Sequence, residues 1–328
     1  MTEKIEGIKT IQIHARCSYP IVSAYEFEVL KTEEEVQALL KPCTIYFIVQ
    51  RPLVYFADLQ MSDGLIKFSI TDRTESEPLQ CAFDPRANDF AADDEDLLVD
   101  LQFYREPQTA SEPFDDVAGF KLRKLNGDFM FWMTPQKFIH HVLTNRLDAQ
   151  ISGNILDYID YRIHYIGQAF SQDVWDRLTG HEKLQSIITS ERPLDEQSVM
   201  PSYEISLILL DIAGYDEANI FPYLGFGTTT EAKPIVFRFD FEDGNTSFED
   251  FYCPQLAVDA PELTNEVEAM LVNRFKPKYN KILFKNYPGI TNGTRNAGYT
   301  ESHLVLESLP ASLSTDNFTQ PVVLPGEV

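Results

Sequence analysis

The sequence predicts an α+β protein in two main parts, a mostly β region over residues 1–148 and an α/β region over 149–285, with an extension over 286–328. Three observations predict it. The first region is dense in short runs of β-branched and aromatic residues separated by turn signals. In the second, Ile159, Tyr161, Ile163 and Tyr165 alternate with Asp160, Arg162 and His164 as in a half-buried strand, and a helical pattern follows Gly167. Further on, Leu263, Val267, Met270 or Leu271, and Phe275 form a stripe at helical spacing. At 328 residues, two domains are the natural division.

In chain order, Thr10–His14, Ala24–Leu30, Cys43–Val49, Leu53–Leu59 and Leu65–Thr71 read as strands. Thr32–Leu40 reads as a short helix capped by Thr32, and Ser62-Asp63-Gly64 as a hairpin turn. Residues 72–97 and 105–117 are polar and acidic and read as long loops. Phe120–Leu125 and Phe129–Met133 flank Asn126-Gly127-Asp128 as a second hairpin, and Pro135 opens a helix to about Leu147. His140 and His141 lie in that helix, where adjacent side chains diverge by about 100° and do not converge on a metal. Past Gly167, Asp173 would cap a helix carrying Val174 and Leu178, and His181–Thr189 would form another. Ser202–Ile212 is an apolar strand suited to a sheet interior. Residues 215–257 read as an insertion built on a hairpin, with Pro234–Phe241 as its first strand. Pro261 opens the helix that runs to Phe275. From about residue 310 the tail has no Lys or Arg and few large apolar residues, and is expected to be mobile.

No apolar run reaches a membrane span, and the first residues carry no apolar signal segment. Cys17, Cys43, Cys81 and Cys253 are scattered without paired spacing, as in a protein of the reducing cytoplasm, and exclude a cysteine zinc site. The net charge of −24 opposes general nucleic-acid binding, since phosphate contacts need Lys and Arg. Charge is local, however: Arg274, Lys276, Lys278, Lys281 and Lys285 form a run without an acid.

Tyr165-Ile166-Gly167 closes the central strand, Arg177 follows on a helix with His181 four residues on, and Glu268 lies on the helix 261–275. Phe275-Lys276-Pro277-Lys278-Tyr279-Asn280 ends that helix, with Asn280 standing 12 residues after Glu268 (268 to 280). Together these stretches resemble the GIY-YIG endonuclease superfamily over about residues 150–285. The first half-motif of that resemblance is sought at Gly153-Asn154-Ile155, with Tyr158 or Tyr161 as the other choices for its tyrosine.

The resemblance implies a small antiparallel sheet flanked by helices and a metal-dependent endonuclease acting on nucleic acid, DNA being expected. Glu268 would hold Mg²⁺ or Mn²⁺ and Arg177 would grip phosphate. Tyr165, with a second tyrosine such as Tyr161, would orient or deprotonate water. His181 would share proton transfer, and Asn280 would hold the helix to the strand end. Arg274, Lys276, Lys278 and Lys281 are the expected nucleic-acid contacts. The first region would serve recognition, homodimerisation or docking to a protein partner. The alternative is a catalytically degenerate domain of the same type, acting as a binding or regulatory module.

Overall fold

The computed structural model describes residues 10–72, 77–92, 95–104, 111–169, 174–178, 182–191, 203–216 and 260–322. The expected cap Asp173, His181 and the expected insertion 215–257, except Tyr215 and Asp216 at the end of a strand, lie outside the described residues. Among them the protein is α+β and strand-rich, with two sheets, one a curled mixed half-barrel. No helix among the described residues is long and apolar enough to cross a membrane.

Strands β1 (Thr10–Arg16) and β2 (Val22–Ser23) lead into helices α1 (Ala24–Leu30) and α2 (Glu34–Leu40), then β3 (Cys43–Pro52). Next come β4 (Tyr55–Ser62), β5 (Leu65–Thr71), β6 (Leu79–Phe83), β7 (Leu97–Phe103), β8 (Val117–Lys124), β9 (Phe129–Met133), α3 (Pro135–Leu143) and β10 (Ala149–Ser152). The chain continues with β11 (Asp160–Gln168), α4 (Val174–Leu178), α5 (Glu182–Ser190), β12 (Tyr203–Asp216) and α6 (Ala260–Phe275). It closes with β13 (Glu301–Glu307), β14 (Ser312–Ser314) and β15 (Thr319–Gln320).

The mixed sheet runs β13-β1-β12-β3-β11-β14-β15, with β2 beside β12. Its parallel pairs are β1 with β13 and β11 with β14. The second sheet, β10-β6-β5-β4-β8-β7 with β9 beside β8, is antiparallel and is made wholly from chain between β3 and β11. The boundary expected near residue 148 thus falls just before β10. Strands β1 and β3, from the expected first part, pair with β12 and β11 from the second, so both stretches build one sheet.

Strand β3 shows why the mixed sheet has two cores. Ile45, Phe47 and Val49 face one side, where Leu263, Val267, Leu271 and Phe275 of α6 cover them. Tyr46 and Ile48 face the other, against Phe27, Leu40, Val174, Leu178 and Ile187 from α1, α2, α4 and α5. A strand covered on both faces reads as a continuous apolar run, as Cys43–Val49 does. The second sheet has its own core around Phe56, Phe68, Phe83, Phe120 and Phe138. Where the two sheets meet, buried Arg51 donates to the Tyr158 carbonyl at 3.3 Å and to Glu204 at 3.4 Å. Burial pushes the Glu204 carboxyl up to about 7 against the pull of Arg51 and Gln136.

Four expectations are corrected. The expected small antiparallel sheet is a mixed sheet of eight strands, because β13 and β14 add to it in parallel. Ala24–Leu30 is helix, not strand. The Ser23 hydroxyl accepts from Glu26 N at 3.0 Å and the Glu26 carboxylate accepts from Ser23 N at 2.8 Å, a reciprocal cap that sets the helix while Phe27 and Leu30 turn inward. The expected loop over 72–97 contains β6, whose Leu79, Cys81 and Phe83 are buried. The tail is ordered past residue 310: Ala311 and Leu313 are buried and β14 pairs with the edge of β11, so the sheet edge supplies the partners that the tail's composition did not suggest.

Candidate functional site

Strands β3 and β11 run antiparallel, and Gly167 stands directly opposite Tyr46. In a regular strand Tyr161, Ile163 and Tyr165 would share one face. The register shifts between Ile163 and Tyr165, so that Ile163 pairs with Val49 and Tyr165 with Ile48. This bulge at His164 turns Tyr165 to the opposite face, where Tyr46 lies. Opposed residues point to the same side, so the Tyr46 ring rises over Gly167 and meets Tyr165, with centroids 6.0 Å apart. A Cβ on Gly167 would lie 2.6 Å from the Tyr46 hydroxyl and 2.6 Å from Tyr165 Cε1. Glycine is needed here for close approach, and the φ of the residue is not the reason.

The two phenols are hydrogen-bonded to each other, and Arg177 of α4 donates to Tyr46. Glu268 of α6 lies close enough to raise the Tyr165 pKa further. Burial, the larger cause, already raises it, while the Tyr46 hydrogen bond and Arg177 lower it. The Tyr46 phenol is also pushed up by burial and by the neighbouring Tyr165. Burial pushes the Glu268 carboxyl up to about 7, with the Arg177 charge and a hydrogen bond from Gln168 pulling it down. Gln168 also donates to Asn265 Oδ1 at 3.0 Å, one turn before Glu268, so the end of β11 is tied to this face of α6.

Past the short β14, the free edge of β11 is closed by the segment after α6. Tyr279 N donates to the His164 carbonyl at 3.1 Å. Asn280 then takes both groups of Ile166, accepting from its N–H at 3.0 Å and donating to its carbonyl at 2.7 Å. An asparagine amide is the side chain whose donor and acceptor copy a backbone partner. Replacing Asn280 with Leu leaves both groups unpaired and is expected to cost about 2 kcal/mol. The urea midpoint measures it, and a loss below about 0.5 kcal/mol would show that the clamp is dispensable.

Tyr46, Tyr165, Arg177 and Glu268 therefore come together from β3, β11, α4 and α6, while Asn280 braces β11. The other choices for a second tyrosine do not join them. Tyr161 is buried in the core on the α6 side, with the Arg51 guanidinium 5.4 Å from its ring centroid. Tyr158 is buried in the core of the second sheet and donates to the Glu77 carbonyl at 2.9 Å. Gly153 and Asn154 lie between β10 and a 3₁₀ turn over Ile155–Tyr158. His181 lies outside the described residues. Tyr46 was missed because it stands on the far side of the second sheet in the chain. The signal available was Thr44-Ile45-Tyr46 inside the apolar strand 43–49.

Among the described residues no group of three or more His, Cys, Asp or Glu side chains converges as a metal site. Glu268 is a half-buried carboxylate, and among the described residues it is not part of a group of three or more such side chains. That donor set suits a hard divalent ion that keeps most of its waters, and does not suit zinc. Arg274, Lys276, Lys278 and Lys281 are all exposed on the segment that carries Asn280. Arg274 stacks on Phe318 at 4.0 Å, and Lys278 pairs with Glu191 at 2.6 Å. No family model matches the chain, and neither a curated protein nor a solved structure matches it.

Proposed function

We propose that this protein is a metal-dependent endonuclease of the GIY-YIG type that hydrolyses phosphodiester bonds of DNA. The observation that carries the reading is the meeting of Tyr46 and Tyr165 over Gly167, with Arg177 and Glu268 beside them. In this reading Thr44-Ile45-Tyr46 is the first half-motif and Tyr165-Ile166-Gly167 the second. The second sheet is then an insertion between the two strands that carry the motif, and α6 with Asn280 completes the domain.

Each residue has a role that its surroundings favour. Arg177 presents a planar fork that grips two phosphate oxygens and balances charge as it builds on phosphorus. The Tyr165 phenol, which burial keeps protonated, would orient the attacking water by a hydrogen bond. Tyr46 receives a hydrogen bond from Arg177 and thereby links the phosphate grip to the tyrosine pair. Glu268 would hold Mg²⁺ or Mn²⁺, which supplies positive charge at the leaving oxygen. Gln168 holds the Glu268 carboxylate in place. The basic segment around Asn280 gives an acidic protein a local surface for the phosphate backbone.

The test is cleavage of plasmid, linear and single-stranded DNA, and of RNA, at low salt with Mg²⁺ or Mn²⁺, beside Glu268→Ala. Cutting that disappears in the variant is the expected result. Cutting that persists at full rate in Glu268→Ala overturns the assignment of the site. Binding without cutting by either protein favours the degenerate module.

A further inference from the structure

We infer that Ile282 is a wedge that opens a base-pair step of duplex DNA, an inference that rests on the nuclease reading above. Ile282 is 68% exposed, far more than a side chain of its size needs to be. A single exposed apolar residue is ordinary on a protein surface. This one differs in its setting. Exposed Lys281 precedes it and exposed Lys285 follows three residues later, within the acid-free run 274–285 of a chain whose net charge is −24. The partner that this local charge selects is a polyanion.

The segment is also held on both sides. Asn280, two residues earlier, is bound to both backbone groups of Ile166, next to Tyr165. Leu283 and Phe284, immediately after, pack against the main core, and the Phe284 carbonyl accepts from Asn273 Nδ2 at 2.9 Å and from Tyr287 N at 2.9 Å. Ile282 is thus a bulky side chain turned outward from a fixed backbone, flanked by cations and placed within about 7 Å of chain from the residue that braces the site strand. Proteins that kink a duplex insert an isoleucine or a similar apolar side chain between stacked bases while neighbouring cations hold the phosphates.

A wedge favours a duplex whose stacking is already weakened, because less unstacking remains to be done. The experiment is equilibrium binding of the full chain, in EDTA so that no cutting occurs, to a short matched DNA duplex and to the same duplex with one central mismatch. The wild type is expected to bind the mismatched duplex about tenfold more tightly, and Ile282→Ala to reduce that ratio to about twofold or less. Lys281→Ala with Lys285→Ala should weaken both duplexes alike and flatten the salt dependence, leaving the ratio intact. Increased fluorescence of 2-aminopurine beside the mismatch, lost in Ile282→Ala, reports the unstacking directly. Equal ratios in the wild type and Ile282→Ala would overturn the wedge while leaving the nuclease reading in place. No binding of either duplex by the wild type at low salt would overturn both.

Discussion

Glu268→Gln is expected to lower metal-dependent cleavage at least about 10³-fold, equivalent to ~4 kcal/mol, while making the protein more stable above pH 7. Both effects have one cause. Burial lifts the Glu268 carboxyl from 4.5 to about 7, so the folded protein carries a charge there at a cost that Arg177 and Gln168 only partly offset. Because the folded pKa lies above the unfolded one, the favourable contribution is fully present below about 4.5. It is lost as pH rises through about 7.

The amide variant does not titrate and escapes that loss. Relative to the wild type it should gain nothing at pH 4 and about 2 kcal/mol at pH 8, read from urea midpoints at the two values. A divalent ion competes with the same proton, so wild-type cleavage should rise between about pH 6 and 7.5 and then level. An amide that cuts within tenfold of the wild type would remove Glu268 from the mechanism. A variant no more stable at pH 8 than at pH 4 would show that the carboxylate is not held against its preference.

The difference between what was legible in the residues and what was not follows the range of the interactions involved. Helix α6 could be read from Pro261 and its apolar stripe, because helical signals lie within a few residues of one another. Tyr165, Gly167, Glu268 and Asn280 could all be singled out for the same reason, each within a short recognisable stretch. Tyr46 was not, because its partner strand follows a complete second sheet and only pairing across that interval brings the two together. The bulge at His164 left no trace in the alternation of Ile159 to Tyr165, yet it decides which tyrosine reaches the site: Tyr161 stays in the α6-side core and Tyr165 does not. At Ala24–Leu30 the letters alternated as a strand would. Ser23 and Glu26, three apart, carried the cap that outweighed it.

Gly167→Ala tests the site without removing any of its functional groups. The added methyl carbon would sit 2.6 Å from the Tyr46 hydroxyl, 2.7 Å from Tyr46 Cζ and 2.6 Å from Tyr165 Cε1, each well inside van der Waals contact. The Tyr46 ring is fully buried against Val174 and Leu178, so it has little room to move away. The strain must go into parting the two phenols, at an expected cost of about 2–3 kcal/mol in stability, as for other overpacked cores. Parting them also breaks the hydrogen bond between them and shifts Tyr165. A displacement of about 1 Å at a reacting group is expected to slow cleavage about 10²-fold.

Steric strain and a general loss of fold are separated by a double-mutant cycle with Tyr46→Ala. If the methyl destabilises by pushing on the Tyr46 ring, Gly167→Ala should cost much less once the ring is gone and Tyr165 can turn into the space it leaves, a coupling of about 1–2 kcal/mol. Additive costs would mean that the strain does not fall on the Tyr46 ring. Cleavage by Gly167→Ala at the wild-type rate, with the expected strain present, would show that the phenol pair is architecture and leave Arg177 and Glu268 to account for the chemistry.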